Sequence, residues 1–468
     1  MAANSNAKVK PFGMADKVGY LFGDFGNDFT FMLSSMFMMK FYTDVMGVAP
    51  AIVGTLMMVA RFVDAVTDVT MGQIVDRSKP TKDGKFKPWI RRCCGPLGIS
   101  AFLIFQSGFA GMSMGFKIFW MFLTYLLWGS IFYTSVNIPY GSMASAVTSD
   151  SNERAQLSTF RSMGAALASL VIGTFTPMFA YVTVDGATVL SGSRMTIIAG
   201  IFAVCGIICH MLCFQLVTGR IQVPQNTSKL NVGKMLKSLG TNRALLGIIA
   251  AAIMLLLGML GMTGMHPYLF PVYYGSASAQ SMASLVGNLA SLLICAPLAA
   301  KVAAAIGKKE TAILGCAVST LTWIVCLILR PDNAFVFVGF YVVANTGLSF
   351  FNYIIWAMIT DVIDDAEVKN GIREDGTIYS VYSFARKLGQ ALSSGMIGGL
   401  MTAIGYTGAV ASNPSAYPEV LSNIFVLSCV IPSIGLIAVI LALIFIYPLN
   451  KARVEANVLE LKKRRGEA

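Results

Sequence analysis

Charge is what this chain lacks. Only 12% of its 468 residues are Asp, Glu, Lys or Arg, about half the quarter found in soluble globular domains. Together with 56% hydrophobic content and a mean hydropathy of +0.68, this excludes a soluble enzyme and a disordered chain. Alternating apolar–polar segments of about 10 residues are missing as well, which excludes an outer-membrane barrel. No cleavable signal peptide is expected: Met1 to Lys17 is polar, and the apolar run from near Tyr20 is too long for an h-region. No glycine loop cradles a phosphate, no His/Cys/acid spacing suits a metal, and no nucleophile constellation is present, so an enzyme is not expected.

What is present is length in apolar runs. Stretches of roughly 20 residues or more recur throughout and give about 12 spans, which makes the chain an all-α polytopic membrane protein. The polar stretch Gly219–Asn242 reads as a linker, so 1–218 and 243–447 form an N-terminal and a C-terminal six-helix bundle, with a tail at 448–468. A formal charge of +12 reflects loop lysines and arginines rather than a nucleic-acid partner. About 27 of the 35 Lys and Arg fall on the side of the N-terminus, which places both termini in the cytoplasm. Cys205, Cys209 and Cys213 share a helix face and read as packed small hydrophobes.

The two halves repeat. Arg161, Gly164, Ala166, Leu167 and Ser169 match Arg386, Gly389, Ala391, Leu392 and Ser394, while Asn137, Met143, Val147 and Asp150 match Asn352, Met358, Val362 and Asp365. Both copies have the same orientation, the parallel repeat of the major facilitator transporters, in which substrate binds near mid-membrane.

Ionisable residues inside a membrane cost about 2.5–3.5 kcal/mol each and mark function. Asp64 and Asp68 are four apart in the second span and share a face, with Arg61 on the same face. Crowded carboxylates in low dielectric relax by taking up a proton or a hard cation such as Na⁺, and Thr67 and Thr134 can add neutral oxygens. A static pair of Arg61 with one acid is the other reading, although one arginine does not neutralise Asp28, Asp64 and Asp68 together. In the eleventh span Arg386 and Lys387 can meet substrate hydroxyls or an anionic group, or snorkel to the cytoplasmic edge; Tyr382 shares the face of Arg386. Trp128 and Trp356 are candidates for stacking on a ring or for plain packing. His266-Pro267 is expected to break the seventh span.

The motifs Gly23-Asp24-Phe25-Gly26-Asn27-Asp28, Phe41-Tyr42-Thr43-Asp44, Arg61 to Asp68, Gly84-Lys85-Phe86-Lys87-Pro88, Asn137-Ile138-Pro139-Tyr140-Gly141 and Ser383 to Ala391 make the chain similar to the glycoside–pentoside–hexuronide:cation symporters of the major facilitator superfamily. The resemblance runs nearly end to end. It implies coupled uptake of a glycoside with Na⁺, H⁺ or Li⁺; a melibiose-like galactoside symporter and a non-transporting sugar sensor of the same fold are the other readings. A bacterial plasma-membrane location, no cofactor and no nucleic-acid partner are expected, with a monomer as one reading of the oligomeric state. Asp64 and Asp68 then resemble the cation-site acids, with Thr67, Thr134 and Asn137 beside them. Asp28 and Arg161 resemble the sugar-hydroxyl partners, and Lys387 the charged residue facing the cation site, with Arg386 and Tyr382 nearby. Where the melibiose-type pattern of the family has an acid, a Trp and a Lys, this chain has Asn137, Gly141 and Asn27. Its Asn-Ile-Pro-Tyr-Gly and Ser-Phe-Ala-Arg-Lys-Leu-Gly-Gln strings are more similar to the glucuronide and xyloside carriers. The charged stretch Asp361–Asp375 and its counterpart Asp150, Glu153 and Arg154 are expected to act in gating.

Overall fold

The computed structural model describes residues 10–221, 242–371 and 375–464. Most of the expected linker, with Lys229, Lys234 and Lys237, lies outside the described residues, as do Arg373, Glu374 and the last residues of the tail.

The described chain is helical almost throughout. Twelve long helices follow one another: α1 (Met14–Asp44), α2 (Pro50–Arg77), α3 (Lys87–Ile104), α4 (Met114–Ser142), α5 (Ser151–Ala180), α6 (Gly192–Leu216), α7 (Arg243–Tyr273), α8 (Ala277–Ile306), α9 (Lys308–Leu329), α10 (Ala334–Asn370), α11 (Asp375–Ala403) and α12 (Pro418–Ile446). A thirteenth, α13 (Lys451–Arg464), lies in the tail. Eight of them are long and apolar enough to cross a membrane by length and composition alone. The remaining four long helices, α1, α2, α3 and α11, carry Asp24, Asp28, Asp64, Asp68, Arg91, Arg92, Arg386 and Lys387, which lower their apolarity.

The burial pattern is that of a membrane solute. On α6, Ile197, Ile201, Val204 and Ile208 are exposed, whereas His210 is buried. On α9, Leu321, Val325 and Ile328 are exposed while Ser319 and Thr320 are buried. Polar groups face the bundle interiors and branched aliphatics face outward, because lipid offers no hydrogen bonds.

The chain forms two compact units. One takes in the described residues of Met1–Phe41, Val63–Ala180 and Ser191–Ser228; the other those of Tyr42–Phe62, Tyr181–Leu190 and Lys229–Ala468. These units do not follow the expected boundary at the linker, because Tyr42–Phe62 and Tyr181–Leu190 cluster with the second. Small residues explain the first exchange. A Cβ on Gly54 would stand 2.8 Å from Gly398 Cα, and one on Gly398 would stand 2.5 Å from the Pro50 carbonyl oxygen. Ala51 N donates to Thr402 Oγ1 at 2.8 Å, and Tyr406 donates its hydroxyl to Asp44 at 3.0 Å. The second exchange is a hairpin, β1 (Tyr181–Val184) against β2 (Ala187–Leu190), with Tyr181 opposite Leu190. Its turn, Asp185-Gly186, has φ of 49° and 81°, the left-handed pair that a two-residue hairpin loop requires.

His266-Pro267 does not break the seventh span. The helix continues through it as an α-helix to Tyr268 and then as a π-helical stretch, Leu269–Tyr273. In the charged stretch on α10, Asp361 accepts from Lys308 Nζ at 2.6 Å, and Asp365 accepts from Asn457 Nδ2 at 3.2 Å with Arg453 Nε at 3.5 Å. Those acids therefore find partners on α9 and α13 of their own unit. Arg154 donates to the Thr148 carbonyl at 2.9 Å.

Candidate cation and sugar site

In the first unit, α2 and α4 lie side by side in matching register. Asp64 and Asp68 are one turn apart on α2; Ser130 and Thr134 are one turn apart on α4. The Ser130 hydroxyl donates to Asp64 Oδ1 at 2.6 Å, and the Thr134 hydroxyl donates to Asp68 Oδ1 at 2.7 Å. Gly129 of α4 faces the Asp64 carboxylate: a Cβ there would lie 3.4 Å from Oδ1, at van der Waals contact. Ser130 lies in a π-helical stretch, Leu126–Tyr133, within the otherwise α-helical α4, a distortion common at functional sites. The Gly129 carbonyl oxygen is 3.2 Å from Thr134 Oγ1. Two carboxylates, two hydroxyls and a carbonyl form an all-oxygen donor set, which suits a proton or a hard cation. Among the described residues no cluster of three or more His, Cys, Asp or Glu is set for a metal ion. Cys209 and Cys213 are buried and unbridged.

The other expected members distribute differently. Thr67 turns its hydroxyl to the backbone carbonyl of Asp64, 3.1 Å away, rather than to a carboxylate. Asn137 meets Asn27 of α1, whose Nδ2 is 3.5 Å from Asn137 Oδ1. Trp128 is buried in a ring cluster with Tyr125 and Tyr133.

A second polar centre joins α1, α4 and α5. Arg161 Nε donates to Asp24 Oδ1 at 3.1 Å, and its guanidinium lies over the Tyr140 ring at 5.4 Å. Tyr140 in turn donates to the Tyr20 carbonyl at 2.6 Å, while Tyr20 donates to the Tyr140 carbonyl at 3.1 Å. Two glycines let these helices close. A Cβ on Gly23 would stand 2.2 Å from the Tyr140 ring, and one on Gly164 would stand 2.4 Å from the Leu21 carbonyl oxygen. The sequence reading named Asp28 and Arg161 as sugar-hydroxyl partners. The ion pair goes to Asp24, and Asp28 lies one turn further along α1, where the charges of Asp24 and Arg161 act on it. Asp24, Ser130 and Asn27 are thus polar contributors that the sequence reading did not assign. Asp24 and Asn27 stand in the same six-residue motif as Asp28, so the signal was there. Nothing in one sequence places Ser130 against Asp64.

In the second unit Arg386 lies over the half-exposed Trp356 ring at 5.5 Å, and its Nη1 is 3.4 Å from the Tyr382 hydroxyl. Trp356 meets Tyr382 edge-on at 5.2 Å. Tyr382 is buried, and Lys387 next to Arg386 is half-buried. The arrangement is a cation held on aromatic faces, which leaves guanidinium N–H groups for hydroxyl or carboxylate oxygens.

Comparison with known proteins gives the family. Residues 19–451 match the MFS/sugar transport protein family. An uncharacterised symporter of Bacillus subtilis, YjmB, is 30% identical over 457 residues, covering 97% of this chain and 96% of that protein. A glucuronide carrier protein homolog of Escherichia coli is 29% identical over 456 residues, covering 96% of this chain and 95% of that protein. The fold is that of solved transporters: a bacterial homolog of the human lysosomal transporter Spinster superposes with a TM-score of 0.62 at 14% identity, over 92% of this chain and 96% of that one. With the helix order, the intramembrane acids and the motif set, this identifies a multi-pass membrane transporter rather than an enzyme. The chain belongs to the MFS/sugar transport protein family, within its glycoside–pentoside–hexuronide:cation symporter type.

Proposed function

We propose that the protein takes up a glycoside across the plasma membrane, coupled to Na⁺ or H⁺, by alternating access, with both termini in the cytoplasm. The observation that carries this reading is the register of α2 against α4, where each acid of the Asp64/Asp68 pair has its own hydroxyl donor. Donated hydrogen bonds favour the ionised carboxylates, and ionised carboxylates one turn apart attract a cation. The coupling ion binds at Asp64, Asp68, Ser130 and Thr134. Sugar hydroxyls are received by the polar centre of Asp24, Asp28 and Arg161 in the first unit; within the second unit, Arg386, Lys387, Tyr382 and Trp356 form a separate group able to meet sugar oxygens. The relative named as a glucuronide carrier homolog and the cationic Arg386 favour an acidic or pentose glycoside over an α-galactoside.

Counterflow in proteoliposomes tests this with labelled methyl glucuronide, xyloside and galactoside, each in Na⁺, Li⁺ or choline medium and across a pH series. Saturable exchange of the glucuronide or xyloside that depends on one of the cations is expected. Exchange of none of the sugars, or flux that does not saturate, contradicts it.

A further inference from the structure

One buried ring of the first unit belongs to neither polar centre but touches a residue on the helix of one of them. His210 of α6 is 1% exposed. Its Nδ1 is 2.7 Å from the Gly206 carbonyl oxygen, and its Nε2 is 3.0 Å from Oδ1 of Asn27 on α1. The Asn27 amide then reaches Asn137 on α4 at 3.5 Å. A glycine crossing creates the space. A Cβ on Gly26 would stand 2.9 Å from the imidazole, and one on Gly206 would stand 3.2 Å from the Gly26 carbonyl oxygen. Both ends of this chain abut assigned groups. Asn27 lies one turn after Asp24, which holds Arg161. Asn137 lies one turn after Thr134, which holds Asp68.

The chemistry fixes a direction. A carbonyl oxygen only accepts, so Nδ1 carries a hydrogen. Nε2 then meets the Asn27 amide in one of two ways: an imidazolium donates to Oδ1 as the amide stands, or a neutral ring accepts from the NH₂ of an amide turned over. Either setting locks the Asn27 amide, and with it the atom presented to Asn137. We propose that His210 is a positioning residue that links the cation centre to the sugar centre through Asn27 and Asn137. This rests on the symport reading above. A rearrangement at Thr134 when the cation arrives moves Asn137 on the next turn of the same helix, and the locked amide chain passes that movement to the turn of α1 that holds Asp24. Coupling of this kind is measured as a ratio of affinities and is reciprocal.

The experiment uses the full-length chain in lipid nanodiscs. The affinity for p-nitrophenyl glucuronide and p-nitrophenyl xyloside is titrated with and without saturating Na⁺, and at two pH values in Na⁺-free buffer. The ratio of the two affinities is compared between wild type and His210→Leu, His210→Gln and His210→Asn. His210→Leu is expected to lower the ratio about fivefold or more, with sugar affinity in the absence of the cation changed much less. In His210→Gln the longer amide still reaches Asn27 and restores most of the ratio. In His210→Asn the shorter amide keeps only the backbone contact, so the variant folds but shows the loss seen with Leu. A ratio in His210→Asn within twofold of wild type overturns the role of His210. A wild-type ratio of one for both cations overturns the symport reading itself, and this proposal with it.

Discussion

At the scale of single residues, the account rests on which oxygen each side chain addresses. Asp64 and Asp68 each accept a short hydroxyl bond, and hydrogen bonds to charged groups contribute about 1.5–3 kcal/mol. Ser130→Ala and Thr134→Val are therefore each expected to raise the cation concentration for half-maximal sugar uptake by roughly tenfold or more, with a smaller change at saturating cation. An unchanged cation requirement in both removes the hydroxyls from the site. The acids of α1 are separated in the same way. Asp24→Asn breaks the pair with Arg161 and Asp28→Asn does not, so titration with sugar at saturating cation tells which carboxylate takes the sugar. Each change is expected to weaken sugar binding far more than cation binding, and sugar affinity unchanged in both contradicts the assignment. Part of this was legible in the sequence. Helix periodicity alone puts Asp64 and Asp68 on one face, and the motif containing Asp24, Asn27 and Asp28 marks the right stretch of α1. The choice between Asp24 and Asp28, and the partner of Thr67, depend on rotation and depth of neighbouring helices, which one sequence does not encode locally.

At the scale of elements, apolar length predicted the spans because each must cover the same hydrocarbon thickness. It failed where structure forms without that constraint. The hairpin Tyr181–Leu190 has a local signal, Asp185-Gly186, but lies in a short connection between two dominant apolar runs. The helix α13 is polar, with five basic residues among its fourteen, and reads as a solvated tail. It docks nonetheless. Asn457 and Arg453 reach the buried Asp365, Lys451 Nζ donates to the Ala305 carbonyl at 2.9 Å, and Arg464 Nη2 donates to the Val368 carbonyl at 3.2 Å. The last of these satisfies a carbonyl in the final turn of α10, which has no partner within the helix. Ending the chain after Asn450 strands Asp365 with fewer donors, which costs about 1–3 kcal/mol. The truncated protein is expected to unfold at a lower temperature in detergent, and adding Asp365→Asn should recover part of the loss. An unaltered unfolding temperature means that docking of α13 adds nothing to stability.

For the whole molecule, the family accounts for the helix order and the location of charge, and the relatives cover 97% and 96% of the chain. The central claim is that the acids of α2 convert a cation gradient into a sugar gradient. Cation-driven accumulation in proteoliposomes tests it most directly, comparing wild type with Asp64→Cys and Asp68→Cys under the same imposed Na⁺ or H⁺ gradient. Wild type is predicted to concentrate the sugar above its external level, while each variant only equilibrates it. Accumulation against the gradient by both variants contradicts the account.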